Sequence, residues 1–255
     1  MEAIAHYPLL LGVFSLALLW LVSWLAASLF KAAGARTAAE HPAYGAVQGA
    51  TLTLLGLLIG FTFSMSLSRY DQRKNLEEEE ANAIGTEYLR VEFLPAGDAT
   101  KAKELLKSYL DERLQFYATR DDDELSQIDA RTAALQDELW SIVRKAASSQ
   151  PTPVMGVVVT GMNDVLNSQG YTLAAWRNRI PHEAWWLMEA MAVCAIVLVA
   201  GLHKQAGISA RLQPVLPIVV SLALFMIADI DSPRRGLIRV VPQNLQSLSQ
   251  SLHPH

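Results

Sequence analysis

Four consecutive glutamates, Glu77 to Glu80, are the densest group of side chains in this chain that could bind an ion. Together with basic residues just before them, they can surround the mouth of a pore, where carboxylates concentrate cations. The predicted pore-mouth set is Arg69, Arg73, Glu77, Glu78 and Glu80. Carboxylates also suit Ca²⁺ if further oxygen ligands approach. Because successive helical residues point in different directions, a solvated helix surface is the alternative interpretation.

A second charged group lies at the end of the last apolar stretch, in the string Ala228-Asp-Ile-Asp-Ser-Pro-Arg-Arg-Gly236. Asp229 borders hydrocarbon, where an ionised side chain needs a partner. The arginines that follow can supply one, and we therefore predict a charged latch made of Asp229, Asp231, Arg234 and Arg235. Glu189 interrupts another apolar stretch, but it lies near enough to one end to reach the membrane interface.

Enzymatic chemistry is not predicted for this chain. The sequence has no Gly-rich phosphate loop, no histidine pair at metal-binding spacing and no Ser-His-Asp set that can be placed. Cys194 is the only cysteine, which excludes disulfides and cysteine-rich metal sites. The net charge of −4 is mild and no basic patch suggests nucleic acid. We expect no cofactor, with Ca²⁺ at the acidic run as the one alternative, and assign no metal ligand.

Helices must position these groups, because the composition predicts an all-α membrane protein. Hydrophobic residues make up 51% of the chain and charged residues only 18%. No charge occurs in Tyr7–Phe30 or Pro42–Ser68, and each stretch exceeds the roughly 20 residues that cross a hydrocarbon core. Ala184–Leu202 and Leu212–Ala228 are weaker candidates. We predict four transmembrane helices, at about 8–30, 44–69, 184–202 and 212–229, since helices satisfy their own backbone in lipid.

The residues between helices two and three, 70–183, are predicted to form a helical extramembrane stalk, and 231–255 a C-terminal tail. No proline occurs from Arg69 to Leu94, and the residues there favour helix. Helix two should therefore continue out of the membrane as a rod of roughly 50 residues. Pro95-Ala-Gly marks the turn that ends it, with Asp98 as the next N-cap.

The rest of the stalk also has the pattern of packed helices. Asp121-Asp-Asp-Glu supplies a negative first turn that favours the helix dipole. Apolar residues at heptad spacing follow from Leu125 to Ala146, interrupted only at Thr132, and predict helix–helix packing. After a break at Pro151-Thr-Pro, a final helix should begin with Pro153 in its first position and run to about residue 180.

The side of the membrane that holds the stalk depends on a charge count. Short loops after helices one and three carry Lys31, Arg36, Lys204 and Arg211, against Arg234, Arg235 and Arg239 in the tail. Adding the basic stalk residues near the membrane to the second side favours a cytoplasmic stalk with both termini inside. The flanks of helix one alone point the other way.

Helix two carries two stripes inside the membrane. One consists of small residues: Gly45, Gly49, Thr53, Gly56, Gly60 and Ser64. Such a stripe lets helices approach closely. The other is more polar and is predicted to line a pore, with an apolar constriction at its middle: Gln48, Thr51, Leu55, Ile59, Thr62 and Ser66. In the alternative, the hydroxyls bond to carbonyls of their own helix and both stripes only pack.

Three strings in these segments resemble the bacterial bestrophin-like membrane proteins. They are Gly60-Phe-Thr-Phe-Ser-Met-Ser-Leu-Ser-Arg-Tyr-Asp-Gln-Arg73, Glu80-Ala-Asn-Ala-Ile-Gly-Thr-Glu-Tyr-Leu-Arg90 and the charged turn from Ala228 to Gly236. The resemblance implies a multi-pass protein of the bacterial inner membrane. By relation to the bestrophins, it also implies an oligomeric anion channel with a pore along the second helix and an acidic Ca²⁺ clasp. No clasp ligand is carried over to this sequence, and the acidic run fits anion selectivity poorly.

Two functional hypotheses follow. The first is a homo-oligomeric ion channel with helix two around the pore, in contact with lipid, ions and copies of itself. The second is a non-conducting scaffold or sensor whose stalk binds a partner. An ion-coupled transporter is less favoured, because Glu189 and Asp229 both lie near helix ends rather than at the bilayer midplane.

Overall fold

The computed structural model describes residues 7–32, 42–203 and 213–252, and all regular structure among them is helical. The helices are α1 (Pro8–Ala32), α2 (Pro42–Arg90), α3 (Ala96–Ala118), α4 (Asp122–Ser149), α5 (Pro153–Arg177), α6 (His182–His203), α7 (Val215–Asp231) and α8 (Gln243–Leu252). A short 3₁₀ turn, Val91–Phe93, follows α2. Arg36, Lys204 and Arg211, which entered the charge count, lie outside the described residues.

Helix α2 is continuous over 49 residues, as the sequence predicts. No proline interrupts it, and Pro95 follows the 3₁₀ turn that ends it. The predicted N-cap of the next helix is wrong. Helix α3 begins at Ala96 with Pro95 at its N-cap, and Asp98 lies in the first turn, where its charge still favours the helix dipole.

The chain divides into two compact units. Unit one comprises residues 1–68 and 179–239, and holds α1, the first part of α2, α6 and α7. Its apolar core includes Leu19 of α1, Leu55 of α2, Ala192 of α6 and Leu224 of α7. A methyl group at Gly12 would lie 3.0 Å from Phe225 Cβ, so a larger side chain there would push α1 and α7 apart.

Three described stretches are long and apolar enough to cross a membrane. They are Pro8–Phe30, Ala43–Phe93 and Pro153–Ala200, the last of which includes α5, a short break and α6. Helix α7 is apolar but has only 17 residues, fewer than the roughly 20 of a typical membrane-spanning helix. The protein therefore has the helices of a membrane protein, and the fourth span stays a prediction.

Unit two comprises residues 69–178 and 240–255, and holds the rest of α2 with α3, α4, α5 and α8. Two of its helices, α4 and α5, begin at a residue whose side chain caps them. Asp121 accepts hydrogen bonds from the amides of Asp123 and Glu124, and Thr152 accepts one from Met155, with Pro153 in the first turn. These starts agree with the sequence pattern.

The core of unit two contains most of the heptad stripe of α4. Ile128, Thr132, Leu139, Ile142 and Ala146 are buried there. The C-terminal tail contributes as well, since Leu245 of α8 is fully buried in the same core. The sequence analysis predicts no helix in this tail, and its short length of 10 residues gives little periodicity to detect.

Candidate functional site

The polar stripe of α2 lies against its own chain. Leu55 is 3% exposed, Thr62 7% and Ser66 0%, while Gln48, Thr51 and Ile59 are half-buried. Leu55 belongs to the core of unit one, and Ile59 packs against that core. Leu55, Thr62 and Ser66 therefore have little surface to offer a shared pore, whereas Gln48, Thr51 and Ile59 keep part of theirs.

The hydroxyls of this stripe are satisfied locally. Thr51 Oγ1 donates to the carbonyl of Val47 at 2.8 Å, Thr62 Oγ1 to Leu58 at 2.7 Å and Ser66 Oγ to Thr62 at 3.0 Å. Each bond spans one helical turn, as is common for serine and threonine in membrane helices. This geometry favours the alternative in which the stripe packs, and burial does not support its assignment to the pore.

The small-residue stripe lies on the exposed side of α2, which also carries large apolar side chains such as Leu57 and Phe61. Gly45, Gly49, Thr53, Gly56, Gly60 and Ser64 are all exposed within the single chain. A Cβ atom at any of the four glycines would meet nothing within 4 Å. Close approach of another helix is what small residues normally permit, and within this chain no described helix makes that approach. The face is available to another copy, to lipid or to a pore.

In unit two the polar face of α2 turns inward. Arg73, Glu77, Glu80, Ile84 and Glu87 recur at spacings of three and four and are all buried. Of the predicted pore-mouth set, three members therefore lie in the interior of unit two. Glu78 is exposed and Arg69 is half-buried. A carboxylate bonded inside its own chain cannot present its charge to a passing ion.

Arg73 caps the C-terminal end of α5. Its Nε donates to the carbonyl of Ala175 and its Nη2 to that of Asn178, both at 3.2 Å. The last carbonyls of a helix lack partners within it and carry partial negative charge, so a guanidinium there is stabilising.

Glu77 caps the N-terminal end of α8. Its Oε1 accepts from the amide of Leu245 at 2.9 Å, and its Oε2 accepts from Asn244 Nδ2 at 2.7 Å. A carboxylate at the first turn of a helix satisfies free amides and complements the positive end of the dipole. Glu77 thereby fixes the start of the C-terminal helix to α2.

Glu80 and Arg113 form an ion pair with both side chains 0% exposed. Arg113 Nε donates to Glu80 Oε1, and Tyr117 and Thr172 donate to Oε2 at 3.4 and 3.3 Å. Burial alone would lower the pKa of the guanidinium, but the neighbouring carboxylate more than offsets this and holds it above its ordinary value. Burial, reinforced by the Glu80 charge, raises the pKa of Tyr117, which stays a neutral donor.

Glu87 lies on the same face but has no such partners. Its side chain is 0% exposed, and neither carboxylate oxygen has a hydrogen-bond partner among the described residues. Burial raises its pKa to about 8, with Arg90 acting to lower it and Asp164 to raise it. Most carboxyl groups with this burial acquire donors, as Glu77 and Glu80 do.

The charged turn after α7 is held by backbone amides. Asp229 accepts from the amides of Leu237 at 2.6 Å and Ile238 at 2.8 Å, and Asp231 Oδ2 accepts from the amide of Ile180 at 3.1 Å. Both carboxylates are buried in unit one. The Arg235 guanidinium lies 4.4 Å from the ring centroid of Tyr7.

The predicted charged latch is thus a compact turn in which amides are important partners of the acids. A Cβ at Gly236 would overlap the carbonyl oxygen of Asp229, so the turn requires glycine there. In α6, Glu189 is buried and accepts a hydrogen bond from Ser15 of α1, and its position near the membrane interface stays a prediction.

No three His, Cys, Asp or Glu side chains of the described residues come together as a metal site. Two members of the acidic run, Glu77 and Glu80, already accept protein donors, and Glu78 and Glu79 are exposed. The Ca²⁺ site at this run stays a prediction.

Arg113 and Glu87 are not among the residues predicted from the sequence. A usable signal exists, because Arg113 occurs at helical spacing within the apolar stripe that includes Leu106, Tyr109 and Leu110. A charged residue at such a position predicts a buried partner. Glu87 similarly continues the spacing of Glu77 and Glu80.

Comparison with known proteins identifies the fold. The sequence model of one family, described as Bestrophin-like domain, matches residues 13–245. No curated protein matches the sequence. A crystal structure of a bacterial bestrophin homologue from Klebsiella pneumoniae, obtained by Zn-SAD phasing, aligns with a TM-score of 0.67 at 14% identity, covering 94% of this chain and 96% of that one.

A mutant of a bacterial bestrophin homologue from the same organism aligns with a TM-score of 0.67 at 15% identity, covering 94% of this chain and 97% of the other. At these identities the structural similarity shows the fold, while the match to the family model is independent of it. The resemblance carried by the three sequence strings is confirmed.

Proposed function

The chain belongs to the bestrophin-like family, and from this premise we propose that it forms a homo-oligomeric ion channel in which α2 lines the pore. The relevant surface is the exposed side of α2 that carries the small-residue stripe, in place of the polar stripe, of which three members are buried and three half-buried. The membrane helices of a channel subunit must offer one face to the shared axis, and this face is open in the single chain.

The observation that carries the proposal is the contrast between two serines on α2. Ser64 is exposed, whereas Ser66 is 0% exposed and bonds to Thr62. They lie two residues apart, about 3 Å along the helix axis. They therefore occupy the same depth, and they differ mainly in whether they face outward or toward their own chain.

Channel activity and the lining face can be tested together with this pair. Cys194 is exposed and must first be replaced, as in Cys194→Ala, to leave a cysteine-free protein. Ser64→Cys and Ser66→Cys are then reconstituted in planar bilayers, and a charged methanethiosulfonate reagent is added. We expect the current of Ser64→Cys to fall on modification, while that of Ser66→Cys does not change.

Each contrary outcome has a distinct meaning. Block of Ser66→Cys alone would return the pore to the buried stripe. Block of neither variant in a conducting protein would place the pore away from α2. An absence of current from every variant, with insertion verified, would overturn the channel and favour the scaffold or sensor, whose exposed α2 face would then bind a partner helix.

The exposed part of the acidic run can affect ion selectivity. Glu78 and Glu79 are the exposed members of the acidic run and remain available to attract cations, whereas Glu77 and Glu80 are not. Reversal potentials measured for Glu78→Gln in a salt gradient will show whether the acidic run affects selectivity. The stalk is proposed to be cytoplasmic, which protease access in oriented vesicles tests.

A further inference from the structure

The environment of Glu87 differs from that of every other buried glutamate on α2. Glu77 accepts two hydrogen bonds and Glu80 lies in an ion pair, but neither oxygen of Glu87 has a partner among the described residues. An ionised carboxylate without donors is costly to bury, and such a group normally neutralises itself by binding a proton. The side chain of Glu87 is therefore expected to be protonated, and so neutral, in this position.

The room for this side chain comes from a glycine on α5. A Cβ at Gly161 would overlap Glu87 Oε2 and would lie 2.5 Å from Arg90 Nη1. Gly161 is buried in the middle of α5, where glycine is otherwise unfavourable relative to alanine. The absent side chain allows α2 and α5 to pack with the carboxyl group between them.

Few charges act on this carboxyl group. Arg90, one turn further along α2, favours the ionised form, and Asp164 of α5 opposes it. Lys103 and Lys107 of α3 instead lie over the ring of Tyr88, 5.1 and 5.9 Å from its centroid. Helix α8, which contacts α2 at Gly85 through Leu248, contains no titratable side chain.

We propose that Glu87 is a proton-binding latch between α2 and α5. With its proton, the carboxyl group packs against Gly161 and the two helices stay together; without it, the charge must reach water and the contact loosens. The latch lies in unit two and is independent of whether α2 lines a pore.

The direction of the pH effect follows from linkage. The pKa of Glu87 rises from an ordinary value of 4.5 to about 8 when the helices pack. The packed state therefore binds the proton more tightly than the unfolded chain does. Its stability is fully present below the ordinary pKa, is lost progressively as pH rises, and changes no further above about 8.

Thermal unfolding of the full-length protein in detergent, from pH 5 to 9.5, tests the latch. Glu87→Gln keeps the shape of the protonated acid and cannot ionise, and Glu78→Gln on the exposed side of α2 is the matched control. Relative to Glu87→Gln, each pH unit between about 5 and 8 should disfavour the folded wild type by up to tenfold. Glu78→Gln should follow the wild type. Parallel pH profiles for wild type and Glu87→Gln would overturn the proposal.

A second pair of variants tests the latch independently, so that the test does not depend on the folding of Glu87→Gln. Gly161→Ala should displace the carboxyl group toward water, which destabilises unit two at pH 6 and reduces the loss of stability at higher pH. Gly170→Ala on the same helix, where a Cβ meets nothing within 4 Å, should stabilise slightly and keep the wild-type pH profile. Equal stability of the two alanine variants would contradict the role of Gly161.

Discussion

Replacing Glu80 by glutamine removes the counter-charge of Arg113 in the interior of unit two. Both side chains are 0% exposed, and the guanidinium cannot lose its proton to escape the penalty. Glutamine has nearly the same shape, so the change isolates charge and hydrogen bonding from packing. The amide has one oxygen where the carboxylate has two, so its NH2 group must face either Arg113 or the hydroxyls of Tyr117 and Thr172, and the donors on that side lose their acceptor.

Breaking a buried pair by removing one partner typically costs about 3–5 kcal/mol. For a protein of this size, each 1 kcal/mol lowers the melting temperature by roughly 2–4 °C, so Glu80→Gln should melt about 6–20 °C below wild type. Arg113→Met should also destabilise unit two, because it leaves the buried carboxyl group of Glu80 without its counter-charge. Glu80→Met combined with Arg113→Met should recover most of the loss, since apolar replacement of both charges is often neutral.

Tryptophan fluorescence during thermal unfolding of the full-length protein in detergent is a suitable assay. Trp176 lies in the same core, with its ring centroid 4.9 Å from that of Phe116 and 5.3 Å from that of Tyr117. Lys101→Met provides the control, because Lys101 pairs with Glu138 at the surface and such pairs contribute less than about 1 kcal/mol. If Glu80→Gln melts as close to wild type as Lys101→Met does, the reasoning from burial is refuted.

Two further predictions concern carboxylates that bind backbone amides. Asp229→Asn should lower the melting temperature, because the charge-assisted bonds to the amides of Leu237 and Ile238 are worth about 1.5–3 kcal/mol each. An amide side chain accepts only through its oxygen and so cannot replace both bonds. A melting curve identical to wild type would show that the turn does not depend on the charge. Glu77→Ala should release α8 while the core of unit two stays folded, because the mutation removes the cap of that helix. Cleavage of the tail at Arg239 by trypsin should then accelerate. An unchanged cleavage rate would show that α8 is held without its cap.

The sequence predicts those parts of the fold that depend on local chemistry. The uninterrupted α2, the break near Pro95 and the capped starts of α4 and α5 all follow from residues within a few positions of the feature. The contacts that the sequence does not predict join residues that are far apart along the chain. Glu80 and Arg113 are 33 residues apart, and no local pattern specifies that they meet.

The orientation of α2 shows the same limit more clearly. Both stripes have the spacing of a helical face, and both contain residues that avoid lipid. Which stripe turns toward its own chain depends on the helices packed around it, here through Leu55 and Ile59. Hydroxyls such as that of Thr62, which bond to their own helix, make a polar stripe compatible with burial.

The charged face of α2 in unit two limits how that helix can move. Arg73 holds the end of α5, Glu77 the start of α8, and Glu80 the guanidinium of α3. Turning α2 about its axis by one residue, roughly 100°, would break all three attachments together. The helix is therefore locked in rotation at this level, and a transition that changes its exposed face must bend or shift the helix rather than twist it.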